Sequence, residues 1–268
     1  FQPKSILASI AQHKATILPL VPTIYSFLVE LYARGGYDVF SLRYCISGGA
    51  SLPEALLKKV EEGLGVTVIE GYGLTETSPV IAVNTMKDGS VPGSVGPVLP
   101  NVELDIVDDS GKQVAQGEVG EIRVRGVTIM KGYWNKPEET AETLSADGWL
   151  RTGDLGHLDE KGRLFISAGR KKDLIIRAGE NVSPLAIENA LMGHPAIAEV
   201  AAVGIADERI GEKVKVCVVL RQDTDATEQE LKSFCRQKLP AFMTPDMFQF
   251  MESLPKTATG KILKSELR

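Results

Sequence analysis

Residues 44–73 read YCISGGASLPEALLKKVEEGLGVTVIEGYG, and this stretch decides the predicted fold. The apolar runs at residues 44–47 and 67–70 are predicted strands, and the amphipathic residues between them predict a helix. Ser51 and Glu54 have the spacing of a capping box for that helix. Because a strand, a helix and a second strand follow one another, the stretch predicts two parallel strands joined by a crossover helix.

The same alternation extends toward the N-terminus. Residues 3–13 have apolar side chains at helical spacing, residues 17–20 read as a buried strand, and another amphipathic helix follows. These elements predict an α/β fold with a parallel or mixed sheet, in which ligands bind beyond the carboxyl ends of strands. Two glycine-rich segments follow predicted strands there. They contain Ser47, Gly48, Gly49, Gly71, Tyr72 and Gly73, which we expect to line one crevice.

The pattern of predicted strands and helices changes twice further along the sequence. The α/β part covers about residues 1–92, and residues 93–171 have short alternating strands separated by Gly and Asp, which predict a compact β subdomain. Residues 172–268 again mix strands with helices and predict a small α+β domain, in which Thr227 and Glu230 have the spacing of a capping box for one helix. We therefore expect two unequal domains, residues 1–171 and residues 172–268.

Composition excludes several classes of protein. The 268 residues are 43% hydrophobic and 24% charged, as in globular proteins, and a net charge of -5 argues against a nucleic-acid binder. Apolar stretches fall well short of the roughly 18 residues that a membrane span needs. Cys45, Cys217 and Cys235 are too scattered for a zinc site or a disulfide framework. We expect a cytoplasmic protein without a transmembrane segment, whose oligomeric state the sequence leaves open.

Residues 71–76 suit a nucleotide. The glycines let the backbone approach a ligand, and Tyr72 offers a ring face to a planar base. Thr75 offers a hydroxyl to phosphate, and Glu76 offers a hard oxygen ligand for Mg²⁺. Taken alone, the segment also fits an ordinary turn between a strand and a helix.

Asp154 and Arg170 are candidates for binding a sugar. Asp154 follows a glycine, and its two oxygens could accept both hydroxyls of a ribose. Arg170 has a planar guanidinium with five donors that suits ribose or phosphate oxygens. The simpler interpretations are an Asx turn at Asp154 and a solvated basic turn at Arg170.

Lys261 follows Gly260 in the segment PKTATGK at residues 255–261. A carboxylate resists nucleophiles because its leaving group would be an oxide, and attaching AMP from ATP supplies a better one. That step brings two anions together, so a cation must lie between them. By itself Lys261 would be a surface lysine. Together with residues 71–76, it predicts one split site that activates a carboxylate with ATP.

On these motifs the chain resembles the adenylate-forming acyl-CoA synthetases, the AMP-binding superfamily. It is most similar to the C-terminal half of the long-chain fatty acid CoA ligases. The segments that carry the resemblance are residues 20–23, 46–50, 70–78, 92–96, 130–134, 147–156, 168–184 and 255–262. The resemblance implies a partial mixed β-sheet with helices, a small β-barrel subdomain and a mobile C-terminal α+β domain.

The resemblance also implies an activity for the full-length protein. A fatty acid, ATP and CoA would become acyl-CoA, AMP and pyrophosphate, with Mg²⁺ as the ion. We expect this chain alone to be inactive, because the family's phosphate loop is not among its residues. Two alternatives stay open: acyl transfer to a carrier-protein thiol, and a non-catalytic binding module. Contact with a membrane surface is also left open.

Individual residues receive roles from the family. The residues that match Tyr72, Gly48 and Gly49 flank adenine, and those that match Thr75 and Glu76 serve the α-phosphate and Mg²⁺.

The resemblance assigns the remaining roles to the second half of the chain. Asp154 and Arg170 match ribose binders, and Lys172 matches the hinge about which the C-terminal domain rotates. Gly179 matches the loop that lines the pantetheine channel, and Lys261 matches the lysine needed only for the first half-reaction.

Overall fold

The computed structural model describes residues 2–87, 89–257 and 260–268. The chain forms two compact units, one made of the chain up to Leu52 together with Leu57–Ser167, the other of Pro53–Leu56 and Ala168–Arg268. The domain boundary expected at residues 171 and 172 stays a prediction.

The first unit begins with a four-stranded mixed sheet. Its strands have the order β1-β2-β3-β4, and the first three run parallel while β4 is antiparallel to β3. This arrangement confirms the α/β fold predicted from the alternation of strands and helices. The elements are α1 (Pro3–His13), β1 (Ile17–Leu20), α2 (Pro22–Tyr32), β2 (Tyr44–Ser47), α3 (Glu54–Leu64), β3 (Thr67–Gly73) and β4 (Val80–Val83).

The start of α3 differs from the prediction. The helix begins at Glu54 itself, so Ser51 lies three residues before the first helical residue and not directly before it, where the predicted capping box requires the N-cap. The main-chain N–H of Leu52 donates instead to the carboxyl group of Glu70 on the neighbouring strand, at 2.9 Å. The buried side chain of Glu70 on β3 therefore holds the loop that leads into this helix.

A second sheet of the first unit has the order β5-β9-β8-β7-β6. It is an open sheet and not the small β-barrel that the resemblance implied. Among the described residues, the strands β5 and β6 at its two ends do not pair with each other, and the β5 side pairs with the first sheet. The residues involved are Ala82 and Val98, which form a bridge, and Leu99, whose N–H donates to Ile81 O at 2.9 Å. The elements are β5 (Ser94–Pro97), β6 (Val102–Val107), β7 (Gly120–Gly126), α4 (Pro137–Thr143), β8 (Leu150–Leu158) and β9 (Arg163–Arg170), whose last three residues are counted with the second unit.

The second unit is an α+β structure around a five-stranded sheet. Its strands have the order β11-β10-β13-β12, and β14 pairs with β13. Helix α6 begins with the predicted capping box, since Thr227 N–H donates to Glu230 at 2.7 Å and Glu230 N–H donates to Thr227 Oγ1 at 3.3 Å. The elements are β10 (Ile175–Arg177), β11 (Glu180–Val182), α5 (Pro184–Met192), β12 (Ile197–Asp207), β13 (Gly211–Leu220), α6 (Glu228–Lys238) and β14 (Met247–Phe250).

Alternate residues of β12 and β13 face two different cores, as the two-residue period of a strand requires. On one face, Val214, Val216 and Val218 pack with side chains of α5 and α6. On the other face, Ala201 and Cys217 pack with the end of the chain through Leu254 and Leu267.

The three cysteines, Cys45, Cys217 and Cys235, are free thiols and are buried. Within the part of the chain that the structure describes, no helix combines the length and the apolar character needed to cross a membrane.

Candidate active site

The two glycine-rich segments meet at one edge of the first sheet. Ser47 and Glu70 are paired in register on parallel strands. A Cβ atom on Gly48 would lie only 3.4 Å from Gly71 O, so the backbones that follow these positions are adjacent. The Ser47 hydroxyl is fully buried and has no hydrogen-bond partner among the described residues. At this edge of the sheet the Ser47 hydroxyl therefore lies beside two closely spaced backbone segments, at Gly48 and at Gly71.

Gly71, Tyr72 and Gly73 lie inside β3, whereas the sequence predicted that they follow a strand. The strand is longer because β4 pairs with it, with Tyr72 opposite Ala82. At Gly73 a Cβ atom would lie 1.8 Å from Pro79 O, so this strand position accepts no side chain.

Tyr72 and Asp154 come together although 82 positions separate them. The Tyr72 hydroxyl donates to Asp154 Oδ2 at 2.6 Å. Asp154 lies on β8 and is 7% exposed. Thr152, which sequence reasoning missed, orients it, since Thr152 Oγ1 accepts from Asp154 N at 3.1 Å and donates to Ile122 O at 2.8 Å. A threonine two residues before the aspartate was the available signal.

A tight turn follows β3 and carries Thr75 and Glu76. Residues Thr75–Thr77 form one turn of 3₁₀ helix. The buried Thr77 hydroxyl closes it, accepting from Leu74 N at 3.1 Å and donating to Pro79 O at 2.7 Å. The turn leaves Thr75 exposed and Glu76 partly buried.

Glu76 is held by the segment that precedes α4. Tyr133 donates its hydroxyl to Glu76 Oε1 at 2.9 Å, and the N–H of Met130 donates to Glu76 O at 2.8 Å. Residues 130–134 contributed to the family resemblance, but no role was predicted for Tyr133. Its hydrogen bond limits the rotation of a carboxylate that was predicted to bind metal.

Glu70 is a second carboxylate that sequence reasoning missed as a functional group. It is 4% exposed, and burial raises its pKa to about 7. Its carboxyl group accepts from Leu52 N, and the amide of Asn84 donates to Glu70 O at 3.2 Å and to Ser94 O at 2.7 Å. The Glu70 carboxyl group therefore secures the loop that follows Ser47.

The second unit carries three of the other predicted site residues near its beginning. Arg170 ends β9 with an exposed side chain, and Lys172 is exposed in the 3₁₀ turn Lys171–Asp173. Gly179 forms the tip of the β10–β11 hairpin with Ala178, at φ values of 85° and 51°. Two successive positive φ values are typical of a type I′ turn. The meeting of these residues with the nucleotide segments of the first unit stays a prediction.

Lys261 is exposed on a small closed loop. Thr257 N donates to Lys261 O at 2.8 Å, and Lys261 N donates to Thr257 Oγ1 at 3.1 Å. Gly260 has a φ of 86°, which a side chain would strain. Ala258 and Thr259, the middle of the predicted motif, lie outside the described residues.

Comparison with known families matches both parts of the chain. The family described as AMP-binding enzyme matches residues 1–134, and the family described as AMP-binding enzyme C-terminal domain matches residues 186–261. The chain belongs to the AMP-binding enzyme family. The second match lies wholly within the second unit.

Relatives within the AMP-binding enzyme family align with nearly all of the chain. It is 44% identical to the long-chain-fatty-acid--CoA ligase of Bacillus subtilis (strain 168) over 268 residues, 100% of the chain and 48% of that protein. The crystal structure of the anthranilate CoA ligase AuaEII in complex with anthranoyl-AMP has a TM-score of 0.92 and 34% identity, over 99% of the chain and 51% of that protein. The crystal structure of ATP-bound MatB from Rhodopseudomonas palustris has a TM-score of 0.91 and 35% identity, over 100% of the chain and 53% of that protein. The chain spans about half the length of these relatives.

Proposed function

We propose that the complete protein activates a fatty acid with ATP and transfers the acyl group to CoA. The products are acyl-CoA, AMP and pyrophosphate, and an acyl adenylate is the intermediate. The observation that carries this proposal is the 2.6 Å hydrogen bond between Tyr72 and Asp154, which joins two segments predicted separately as nucleotide binders. The relatives named as CoA ligases and the structures with ATP or anthranoyl-AMP support the same reading.

The nucleotide would lie against the edge where Ser47–Gly49 and Gly71–Gly73 meet. Gly48 and Gly49 would let one face of adenine lie against the backbone, and the Tyr72 ring would contact the other face of adenine. The Asp154 carboxylate, which accepts from the Tyr72 hydroxyl, and the guanidinium of Arg170 would bind the ribose hydroxyls.

The phosphates would be held by the turn after β3. Thr75 offers an exposed hydroxyl, and Glu76 offers the carboxylate oxygen that Tyr133 does not contact. No group of three or more His, Cys, Asp or Glu residues with metal-binding geometry occurs among the described residues. One carboxylate nevertheless fits Mg²⁺ well, because this ion is commonly held by one or two carboxylates together with substrate phosphates and water. Mg²⁺ would supply charge neutralisation at those phosphates.

Lys261 would act in the first half-reaction. The fatty acid carboxylate attacks the α-phosphorus, the acyl-phosphate bond forms, and the bond to pyrophosphate breaks. The ammonium group of Lys261 would lie between the two anions and stabilise the charge that develops there. In the second half-reaction the CoA thiolate attacks the acyl carbonyl and AMP leaves, with Gly179 beside the pantetheine arm and Lys172 as the hinge between the two arrangements.

Substrate, acceptor and compartment are parts of the same proposal. We favour a fatty acid because of the 44% identity to the Bacillus ligase, and CoA over a carrier-protein thiol for the same reason. The 268 residues alone would not form the adenylate, since they span about half the length of the relatives. Three buried free thiols suit the reducing cytoplasm.

The test is Lys261→Ala in the complete protein. Pyrophosphate exchange into ATP, which reports adenylate formation, should fall by roughly 10²-fold to 10³-fold or more. Thioester formation from supplied acyl adenylate should remain. Lys213→Ala is the control, because Lys213 belongs to the same unit, is 46% exposed and pairs with Asp207, outside the proposed site.

The outcomes separate the candidate functions. Equal loss of both half-reactions in Lys261→Ala would refute the role of Lys261. Transfer to a carrier protein but not to free CoA would change the acceptor. A wild-type protein that gives no calorimetric heat with AMP or an acyl-adenylate analogue would be a non-catalytic module.

A further inference from the structure

The end of the chain packs across one face of the second unit's sheet. Leu254 and Leu267 are both 3% exposed and pack with Val203 and Cys217. Lys215 Nζ donates to Leu267 O at 2.9 Å, which ties the last residues to β13. Lys261 lies between these two apolar anchors.

Two ion pairs flank Lys261 in sequence. Five residues before it, Lys256 Nζ lies 2.6 Å from Glu199 Oε2, and three residues after it, Lys264 Nζ lies 2.7 Å from Glu188 Oε1. The side chains of Glu199 and Glu188 are only 8% and 16% exposed. Both carboxylates are therefore largely removed from water. Removing the lysine partner of such a carboxylate costs more than on an open surface, because it leaves a buried charge uncompensated.

Glu188 is the more firmly fixed of the two acceptors. It projects from α5, and its Oε1 also accepts from the N–H of Ala202 on β12 at 2.8 Å. Burial raises the pKa of Glu188, and the charge of Lys264 opposes that rise. Lys264 thus docks on a carboxyl group that is itself anchored to the sheet.

The chain between the two ion pairs is short and closed on itself. Leu263 N donates to Pro255 O at 2.8 Å, and Lys256 and Ile262 form a β-bridge. These contacts tie the described residues on both sides of Lys261 to each other. If the anchors loosen, Lys261 loses its fixed position relative to the sheet.

We propose that the ion pairs Glu188–Lys264 and Glu199–Lys256 are positioning pairs for Lys261. This inference rests on the proposed function, and it assigns to both pairs the task of holding the Lys261 loop in place for adenylate formation. None of these four residues touches the reacting atoms in this scheme. A purely structural role would instead lower stability and affect both half-reactions alike.

The first experiment is Lys264→Met in the complete protein, with Lys232→Met as the control. Lys232 belongs to the same unit, pairs with Glu228 at 2.6 Å, and is 25% exposed, against 26% for Lys264. Lys264→Met should lower kcat for adenylate formation about 10-fold to 10²-fold, because small misplacements of a catalytic group have effects of this size. Thioester formation from supplied acyl adenylate should stay within about 2-fold of wild type, as should both half-reactions of the control.

Two further variants distinguish positioning from folding. Lys264→Arg should restore most of the adenylation rate, because it keeps the cation. Glu188→Gln keeps an acceptor for the Ala202 N–H and removes only the charge, so it should fold even if Lys264→Met does not. It should reproduce the selective loss of adenylation. Equal losses in both half-reactions, or a fully active Glu188→Gln, would overturn the inference.

A measurement without catalysis keeps this inference separable from the proposed function. Amide hydrogen exchange across residues 255–263 should be faster in Glu188→Gln than in wild type, while exchange in β6 and β7 stays unchanged. If the wild-type protein forms no acyl adenylate, the proposed function is wrong, and the exchange data still report whether the pair holds the loop. Unchanged exchange in that segment would refute the positioning role.

Discussion

Replacing Glu70 with glutamine should change how the free energy of unfolding depends on pH. Burial raises the pKa of Glu70 from 4.5 to about 7 in the folded state. Between these two pH values the folded protein binds a proton that the unfolded chain has lost. The contribution of Glu70 to the free energy of unfolding is therefore fully present below about pH 4.5 and is lost as the pH rises through about 7.

The size of the effect follows from the two pKa values. At about 1.4 kcal/mol per pH unit, their difference corresponds to a loss of roughly 3 kcal/mol between pH 4.5 and pH 8. Glutamine has the same length, keeps an oxygen for the Leu52 N–H, and does not ionise. Glu70→Gln should consequently match wild type below about pH 4.5 and exceed its stability increasingly above that pH, by up to about 3 kcal/mol at pH 8.

Urea unfolding of both proteins at pH 5, 6, 7 and 8 measures this directly. The difference in free energy between variant and wild type at each pH cancels the titration of all other groups. Glu118→Gln, which replaces an exposed glutamate in the turn before β7, is the control for the loss of one carboxyl group. A flat difference for Glu70→Gln, or a variant less stable than wild type at pH 8, would refute the reasoning.

Two further predictions concern backbone geometry. Thr227→Ala should lower the free energy of unfolding by about 1 kcal/mol through loss of the α6 cap, whereas Thr227→Ser should not. Equal losses of stability for the two variants in thermal denaturation would contradict this prediction. Gly73→Ala should cost at least about 3 kcal/mol or prevent folding, since its Cβ would lie 1.8 Å from Pro79 O. Gly48→Ala, with 3.4 Å to Gly71 O, should stay folded in the same circular dichroism assay, and a folded Gly73→Ala of wild-type stability would show that the turn can rearrange.

Local patterns were sufficient for the elements of secondary structure. Helix α1 and strand β1 have the predicted bounds, and the capping box at Thr227 opens α6 as expected. These features depend on residues within one turn or one strand, where side-chain period and hydrogen bonds to nearby backbone decide the conformation. The alternation of strands and helices similarly sufficed for the α/β class.

Features that depend on distant partners were beyond the sequence. In the part of the chain that the structure describes, the second sheet does not close into the expected barrel, and its β5 side meets the first sheet through pairing between Ala82 and Val98. The extension of β3 through Gly73 requires β4, and Tyr133 reaches Glu76 from 57 positions away. No local pattern contains these partners, because each contact joins segments that only the folded chain brings into register.

The amino-acid sequence by itself determined which chemical groups the protein carries, their order along the chain and the strands and helices that bear them. The tertiary structure alone decided their ionisation and contacts, as in the raised pKa of the buried Glu70 and the hydrogen bond from Tyr72 to Asp154. The physical reason is that burial and long-range pairing set protonation and orientation, and both arise only when the chain excludes water around these groups.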